Sequence, residues 1–272
     1  MRNAKICIRE GADTLPYKFK ERNDYMKNLC HINTPYLPEG NTAVMIGDCS
    51  ADGIVVIRPQ AVEILPYGLK KHADLGICVL GGKKAVCPPE TAQYYGDVLS
   101  PYGIEVITGE THIGCHYPQD CAYNVGIAGR KCFVNKNVCD GVLLYELEKA
   151  GYEIINVKQG YGKCSICPVD ENTIISGDKG ICRAAREYGF TVLEISHSGI
   201  ILEGYENGFF GGAAGMLSPN EMAVNGELSY IPDGEKILNF LKERDISVKN
   251  LKKGEICDIG SVIPLMIDVH NI

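Results

Sequence analysis

A chain of 272 residues with 45% hydrophobic and 22% charged side chains has a globular composition and is long enough for one large core or two modest ones. Its formal net charge is −7 with no run of Lys or Arg, so no nucleic-acid partner is expected, and no apolar stretch reaches membrane-spanning length. The opening MRNAKICIREGADT places charge too close to its few apolar residues for a secretory signal, which points to a cytoplasmic protein with no membrane partner.

In chain order, residues 1–40 are rich in Pro, Tyr and charge, and read as an extended flap with one short strand at 5–8. A single domain is expected over 41–272. Residues 41–66 (NTAVMIGDCSADGIVVIRPQAVEILP) read as a second strand, a short helix or turn, and a third strand with no first strand before them. The segment 77–109 (ICVLGGKKAVCPPETAQYYGDVLSPYGIEVITG) runs strand, tight turn, strand, helix, glycine, strand. Residues 125–157, 166–195 and 216–251 repeat that order. Their turns at Gly81-Gly82, Gly129-Arg130, Glu171-Asn172 and Pro219-Asn220 carry the residues that tight connections favour. Apolar residues recur at helical spacing, as at Leu143, Leu144 and Leu147 or Ile237, Leu238 and Leu241. Gly103, Gly151 and Gly189 end three of these helices and Asp245 stands in the fourth. The last stretch, GSVIPLMI (260–267), is a first strand with no partner after it.

Four copies of one unit form an array rather than a single wound sheet, and an array needs capped ends or closure. Pairing 261–267 with 43–47 makes a fifth unit from the two ends of the chain. The expected fold class is therefore α/β: a five-bladed, pseudo-symmetric α/β-propeller, its ring closed by the N- and C-terminal segments.

Thirteen cysteines, an odd number without an export signal, argue against a disulfide framework and predict mostly reduced thiols. Most have apolar neighbours and read as small buried hydrophobes. Cys164-Ser-Ile-Cys167 has redox or half-zinc spacing, but CSICPV reads as a strand, on which positions three apart face opposite sides. Cys115, His116 and Cys121 share a loop, yet no second Cys/His pair at zinc spacing accompanies them, so neither a metal nor a cofactor is expected.

The five-unit pattern, together with QGYGKCSICPVDENTIISGDKGI, ILEGYENGFFGGAAGM and CDIGSVIPL, resembles the pentein fold of the guanidino-group-modifying enzyme superfamily, and a clostridial-type branch of it, over roughly 41–267. The resemblance implies a cysteine nucleophile opening the last full unit, a histidine in the unit before it, and carboxylates that hold a guanidinium. Matching the motifs places Gly211-Gly212-Ala213-Ala214-Gly215-Met216 on the nucleophile stretch, with Met216 at the nucleophile and Gly215 at its neighbouring histidine. It places Tyr161 at the general base and Lys163 at a carboxylate. The usual machinery is then expected to be missing, with the small residues marking its loss.

What remains is a polar axial site built from Lys163, Cys164, His72, Asp74, Asn124 and Asp258, with Tyr161 and Glu203 beside it. Its ligand is expected to be an anionic or zwitterionic metabolite drawn by Lys163. Two alternatives stand. In one, Cys164 is a re-sited nucleophile, activated by the adjacent lysine, in an enzyme acting on an amidine or amide; in the other, the ring is a macromolecular interaction module. The plainer reading of each residue is a packed strand thiol for Cys164, a solvated charge for Lys163 and a loop histidine for His72. The oligomeric state is not legible.

Overall fold

The structure is a computed structural model and describes residues 39–40 and 43–268. Strand β1 (Glu39–Gly40) precedes β2 (Ala43–Ile46) and β3 (Ile54–Ile57), after which a single turn of helix, α1 (Ala73–Gly76), leads into the first complete unit. That unit is β4 (Cys78–Gly81), β5 (Lys84–Cys87), α2 (Pro89–Leu99) and β6 (Glu105–Thr108). The second is β7 (Gly126–Ala128), β8 (Lys131–Val134), α3 (Gly141–Lys149) and β9 (Glu153–Asn156). Another single turn, α4 (Gly162–Ser165), opens the third, β10 (Ile166–Asp170), β11 (Thr173–Ser176), α5 (Lys179–Glu187) and β12 (Thr191–Glu194). The fourth follows α6 (Phe210–Ala213) as β13 (Ala214–Ser218), β14 (Glu221–Val224), α7 (Gly234–Lys242) and β15 (Ser247–Asn250), and β16 (Ile263–Asp268) comes last.

Every unit is wired alike. The first two strands pair antiparallel and the second and third pair parallel across the helix, as with Cys78 opposite Val86 and Val86 opposite Ile107. In the remaining sheet β16 takes the first-strand place: Ile263 lies opposite Ile46, and β2 runs parallel to β3. The expected pairing of the two ends of the chain is therefore present. A register shift recurs within the first strand in four of the five sheets, β4, β10, β13 and β16. Five small sheets and their helices give a five-fold α/β propeller-like fold.

The helices form where the sequence supplies caps and an apolar face. Asp140 and Asp178 cap α3 and α5 by accepting from the Leu143 and Ile181 amides at 2.9 and 2.7 Å. Leu143 and Leu147 of α3, and Ile237 and Leu241 of α7, are buried, whereas Leu238 is 43% exposed and does not belong to the core face. Asp245 takes the left-handed backbone (φ 55°) that glycines supply at the other three helix ends.

Apolar side chains from adjacent units share each core. Cys78 and Val86 pack with Ile127 and Leu147, Phe133 with Ile166 and Ile174, and Cys167 and Ile175 with Met216 and Ile237. Met45 packs with Leu217 and Val262, and Val44 and Ile263 with Ile77 and Val79. Among the described residues no helix is long and apolar enough to cross a membrane. The flap expected over 1–40, with its strand at 5–8, lies outside the described residues except for Glu39–Gly40, which pairs parallel to β16.

Candidate active site

The residues just before the first strand of each unit converge. Helix α1, the turn at 120–125, helix α4, helix α6 and the turn at 258–261 each contribute, so side chains far apart in sequence become neighbours. Cys164 does not sit on a strand, as CSICPV suggested: it lies in α4, and β10 starts two residues later. Cys167 faces a hydrophobic core instead. The expectation that the two thiols point apart stands, but for a different local reason.

The Cys164 thiol donates to Asp74 Oδ2 at 2.9 Å, and Asn124 Nδ2 donates to the sulfur at 3.1 Å. Asn124 also fixes the turn that carries the thiol: its Oδ1 accepts from the Lys163 and Cys164 amides at 2.7 and 3.2 Å, while Nδ2 reaches the Asp74 carbonyl at 3.2 Å. Ser261 Oγ lies 2.6 Å from Asp74 Oδ2 and 2.8 Å from the Gly211 carbonyl, so one hydroxyl hydrogen serves two acceptors. Asp258 accepts from the Phe209 and Gly260 amides at 2.8 and 3.0 Å. His72 Nε2 stands 3.9 Å from Asp258 Oδ1, buried and without a hydrogen bond. The donor atoms of His72, Asp74 and Cys164 all lie within 4.8 Å of one another, a nitrogen, oxygen and sulfur set that could also hold a borderline-soft ion such as zinc.

The expectation that the usual machinery is missing is not supported, because a buried thiol, imidazole and carboxylate stand together in Cys164, His72 and Asp74. Met216, matched to the nucleophile, is fully buried in β13 within a hydrophobic core. The glycines beside it serve packing. A Cβ on Gly212 would stand 2.1 Å from Asp258 Oδ1, and one on Gly211 would stand 2.1 Å from the Ile166 carbonyl. Gly212 makes room for the Asp258 carboxylate and Gly211 for the Ile166 backbone; these small residues do not mark lost machinery.

Electrostatics hold the thiol protonated. Burial pushes the Cys164 pKa well above the ordinary thiol value, the Asp74 and Asp258 charges and the bond to Asp74 push the same way, and only Asn124 opposes them. Burial also raises Asp258, with Asp74 adding to the rise, while His72 and the Phe209 and Gly260 amides oppose it.

A cavity of about 340 Å³ reaches this cluster. His72, Cys164 and Asp258 form its buried end, Tyr161 and Phe209 a half-buried wall, and Glu206 its exposed mouth. Tyr161 is held there by donating to Asp120 Oδ2 at 2.7 Å and by its ring contact with Phe209, centroids 6.1 Å apart. A second cavity of about 580 Å³ shares His72 and Asp258 with the first, and Glu203 lines that one, away from the thiol. Lys163 is buried with no hydrogen bond to its ammonium. It lines a small enclosed space of about 20 Å³ with Asp74, Cys78 and Tyr123, and not the 340 Å³ cavity.

The structure thus unites Cys164, His72, Asp74, Asn124 and Asp258, sets Tyr161 beside them, and leaves Glu203 and the Lys163 head group outside. Sequence reasoning missed Ser261, Phe209, Glu206 and His197. Of these, only Ser261 carried a signal, since it stands just before a first strand like the other convergent residues. In the Cys115–Cys121 loop, Cys115 is exposed and the Cys121 thiol donates to the Pro118 carbonyl at 3.1 Å.

A family model described as "Family of unknown function (DUF6873)" matches residues 42–263. No curated protein matches the sequence. Among solved structures, an amidinotransferase from Microseira wollei in saxitoxin biosynthesis is similar at 12% identity with a TM-score of 0.51, covering 81% of this chain and 91% of its own. An inosamine-phosphate amidinotransferase from Streptomyces griseus aligns at 11% identity and TM-score 0.49, over 78% of this chain and 75% of its own. A DDAH from Pseudomonas aeruginosa with citrulline bound gives 9% and 0.45, over 73% and 74%. The fold is that of the pentein, guanidino-group-modifying proteins; at these identities the likeness speaks for the fold alone.

Proposed function

The chain belongs to the DUF6873 family, and from that premise we propose that it is a cysteine-dependent enzyme acting on a small cationic amidine or guanidine, with Cys164 as its nucleophile. One observation carries this reading: the Cys164 thiol closes the inner end of a ligand-sized cavity, bonded to Asp74 and within 4.8 Å of the His72 imidazole. The Lys163 ammonium that suggested an anionic ligand does not line that cavity, whereas the Asp258 carboxylate does.

The chemistry follows from the charges. A planar cation seated against Asp258, with Asp74 behind the sulfur, offsets the negative charge that keeps the thiol protonated. The thiol proton passes to His72, and the thiolate sulfur attacks the amidino carbon, forming a C–S bond. His72 returns that proton to the departing amine as the C–N bond breaks, leaving an S-amidino adduct. Water or an amine then adds at the same carbon, with His72 taking its proton, and the C–S bond breaks as that proton returns to the sulfur and restores the Cys164 thiol. Asn124 and Ser261 position Cys164 and Asp74 and do not touch the substrate.

Two electrophiles of similar size test this: 2-chloroacetamidine, which is cationic, and 2-chloroacetamide, which is neutral. Their rates are normalised to a free thiol. Cys164 should be the residue modified, faster by the cation by about tenfold or more, with His72→Ala slowing the reaction. If the neutral reagent reacts as fast, or if other cysteines take the label while Cys164 does not, the chain is a binding protein and this reading fails.

A further inference from the structure

The charge of the cavity mouth extends this reading to the remote end of the substrate, and the inference rests on the substrate being a cation at Cys164. At the inner end are Asp258 and, behind Cys164, Asp74; at the mouth is Glu206. Between them run the half-buried rings of Tyr161 and Phe209, with the Tyr117 ring tilted against Tyr161 at 5.4 Å and Tyr205 also lining the cavity. No lysine or arginine lines it among the described residues. His197 reaches the cavity with its ring 4.9 Å from that of Phe209; burial lowers its pKa, with Asp178 opposing, so it offers a carboxylate little charge near neutral pH.

A cavity with carboxylates at both ends and aromatic faces between them selects on the charge of both ends of its ligand. An alkyl chain passes along the rings, and a second cation at its end meets Glu206 and the faces of Tyr161 and Tyr205. A carboxylate in that place would meet Glu206 at close range with no cation to offset it. We infer that the substrate is an amidino- or guanidino-alkylamine, positively charged at both ends, and not an amidino or guanidino acid.

Three chloroacetamidines decide the matter: the tailless compound, its N-(3-aminopropyl) derivative and its N-(2-carboxyethyl) derivative. Each rate of Cys164 modification, read by mass spectrometry, is normalised to a free thiol. The aminoalkyl reagent should outpace the carboxyalkyl reagent by about fivefold or more at low salt, a ratio that narrows as salt is raised because the mouth is exposed. Glu206→Gln should lower the ratio several-fold and Glu206→Lys should reverse it. A ratio near one or below it in the wild type, or a ratio that Glu206→Gln leaves unchanged, overturns the inference. If the tailless amidine labels Cys164 in preference to chloroacetamide while the tails make no difference, only the charge selection fails. If the tailless amidine shows no such preference, the cationic-substrate reading fails with it.

Discussion

Cys164 occupies a place that suppresses a thiolate in the free protein. Its sulfur is buried, donates to Asp74 and feels the Asp258 charge, with Asn124 as its one compensating donor. Such a thiol is inert to neutral electrophiles near pH 7 and becomes reactive only when negative charge around it is removed. Asp258→Asn removes one of the two charges that raise its pKa, so alkylation of Cys164 by iodoacetamide should accelerate and the rise of rate with pH should move to lower pH. Asn124→Leu removes the side-chain donor to the sulfur and should move the profile to higher pH. Peptide mass spectrometry of Cys164 between pH 6 and about 10 reads both, with the thermal midpoint of each variant confirming that it is folded. If Asp258→Asn slows alkylation, the charges around the thiol do not act as described. The residue scale also shows how a resemblance can mislead. Gly211 to Met216 matched a nucleophile stretch, yet Gly212 admits the Asp258 carboxylate and Gly211 and Gly215 admit the Ile166 and Val262 backbone, and pairwise contacts of that kind leave no pattern in the linear sequence.

At the scale of elements, the joint between the first and second units depends on one side chain. Asp140 caps α3 through Leu143 while its other oxygen accepts from the Glu110 and Thr111 amides at 2.9 and 2.8 Å and from the Tyr123 hydroxyl at 3.0 Å. Burial opposes its ionisation, but the bonds from Leu143, Thr111 and Glu110 prevail and hold its carboxyl below the usual range. Asp140→Ala loses the cap and strands buried donors, a cost of about 3 kcal/mol by urea unfolding. A depressed carboxyl pKa stabilises above the unfolded value of about 3.9 and loses that contribution as pH falls through the folded pKa. The gap in stability between wild type and Asp140→Asn should therefore shrink from pH 7 to pH 3; a constant gap would show that the charge plays no part. Elements were the legible level, because strands, tight turns and helix-ending residues signal locally. The exceptions are physical too. α4 is one turn long, too short for a helical period, so CSICPV read as a strand, and Leu238 fits the helical spacing yet projects into solvent.

For the whole molecule, repetition made the fold readable: four similar units and two orphan ends predicted that β16 would lie beside β2, as it does. The site was only half readable for the opposite reason. Ser261 and Asp74 are bonded across 187 residues, and nothing in either local stretch announces the other. That distance also makes the C-terminal strand central to stability. Val44, Ile46, Ile77, Val79, Ile263 and Leu265 share one core, so residues from both ends of the chain and from the first complete unit stand or fall together. Leu265 is 1% exposed there, and Ser261, which fixes Asp74, lies just before its strand. Leu265→Ala removes buried volume that neither end of the chain can refill alone, and should lower stability by about 3 kcal/mol. Because the cores of neighbouring units are continuous, the loss should appear as one shifted urea transition, coincident by far-ultraviolet circular dichroism and by tyrosine fluorescence. A second, separate transition in the variant would mean that the terminal strands form an independent unit; an unchanged midpoint would mean that β16 only decorates the sheet beside β2.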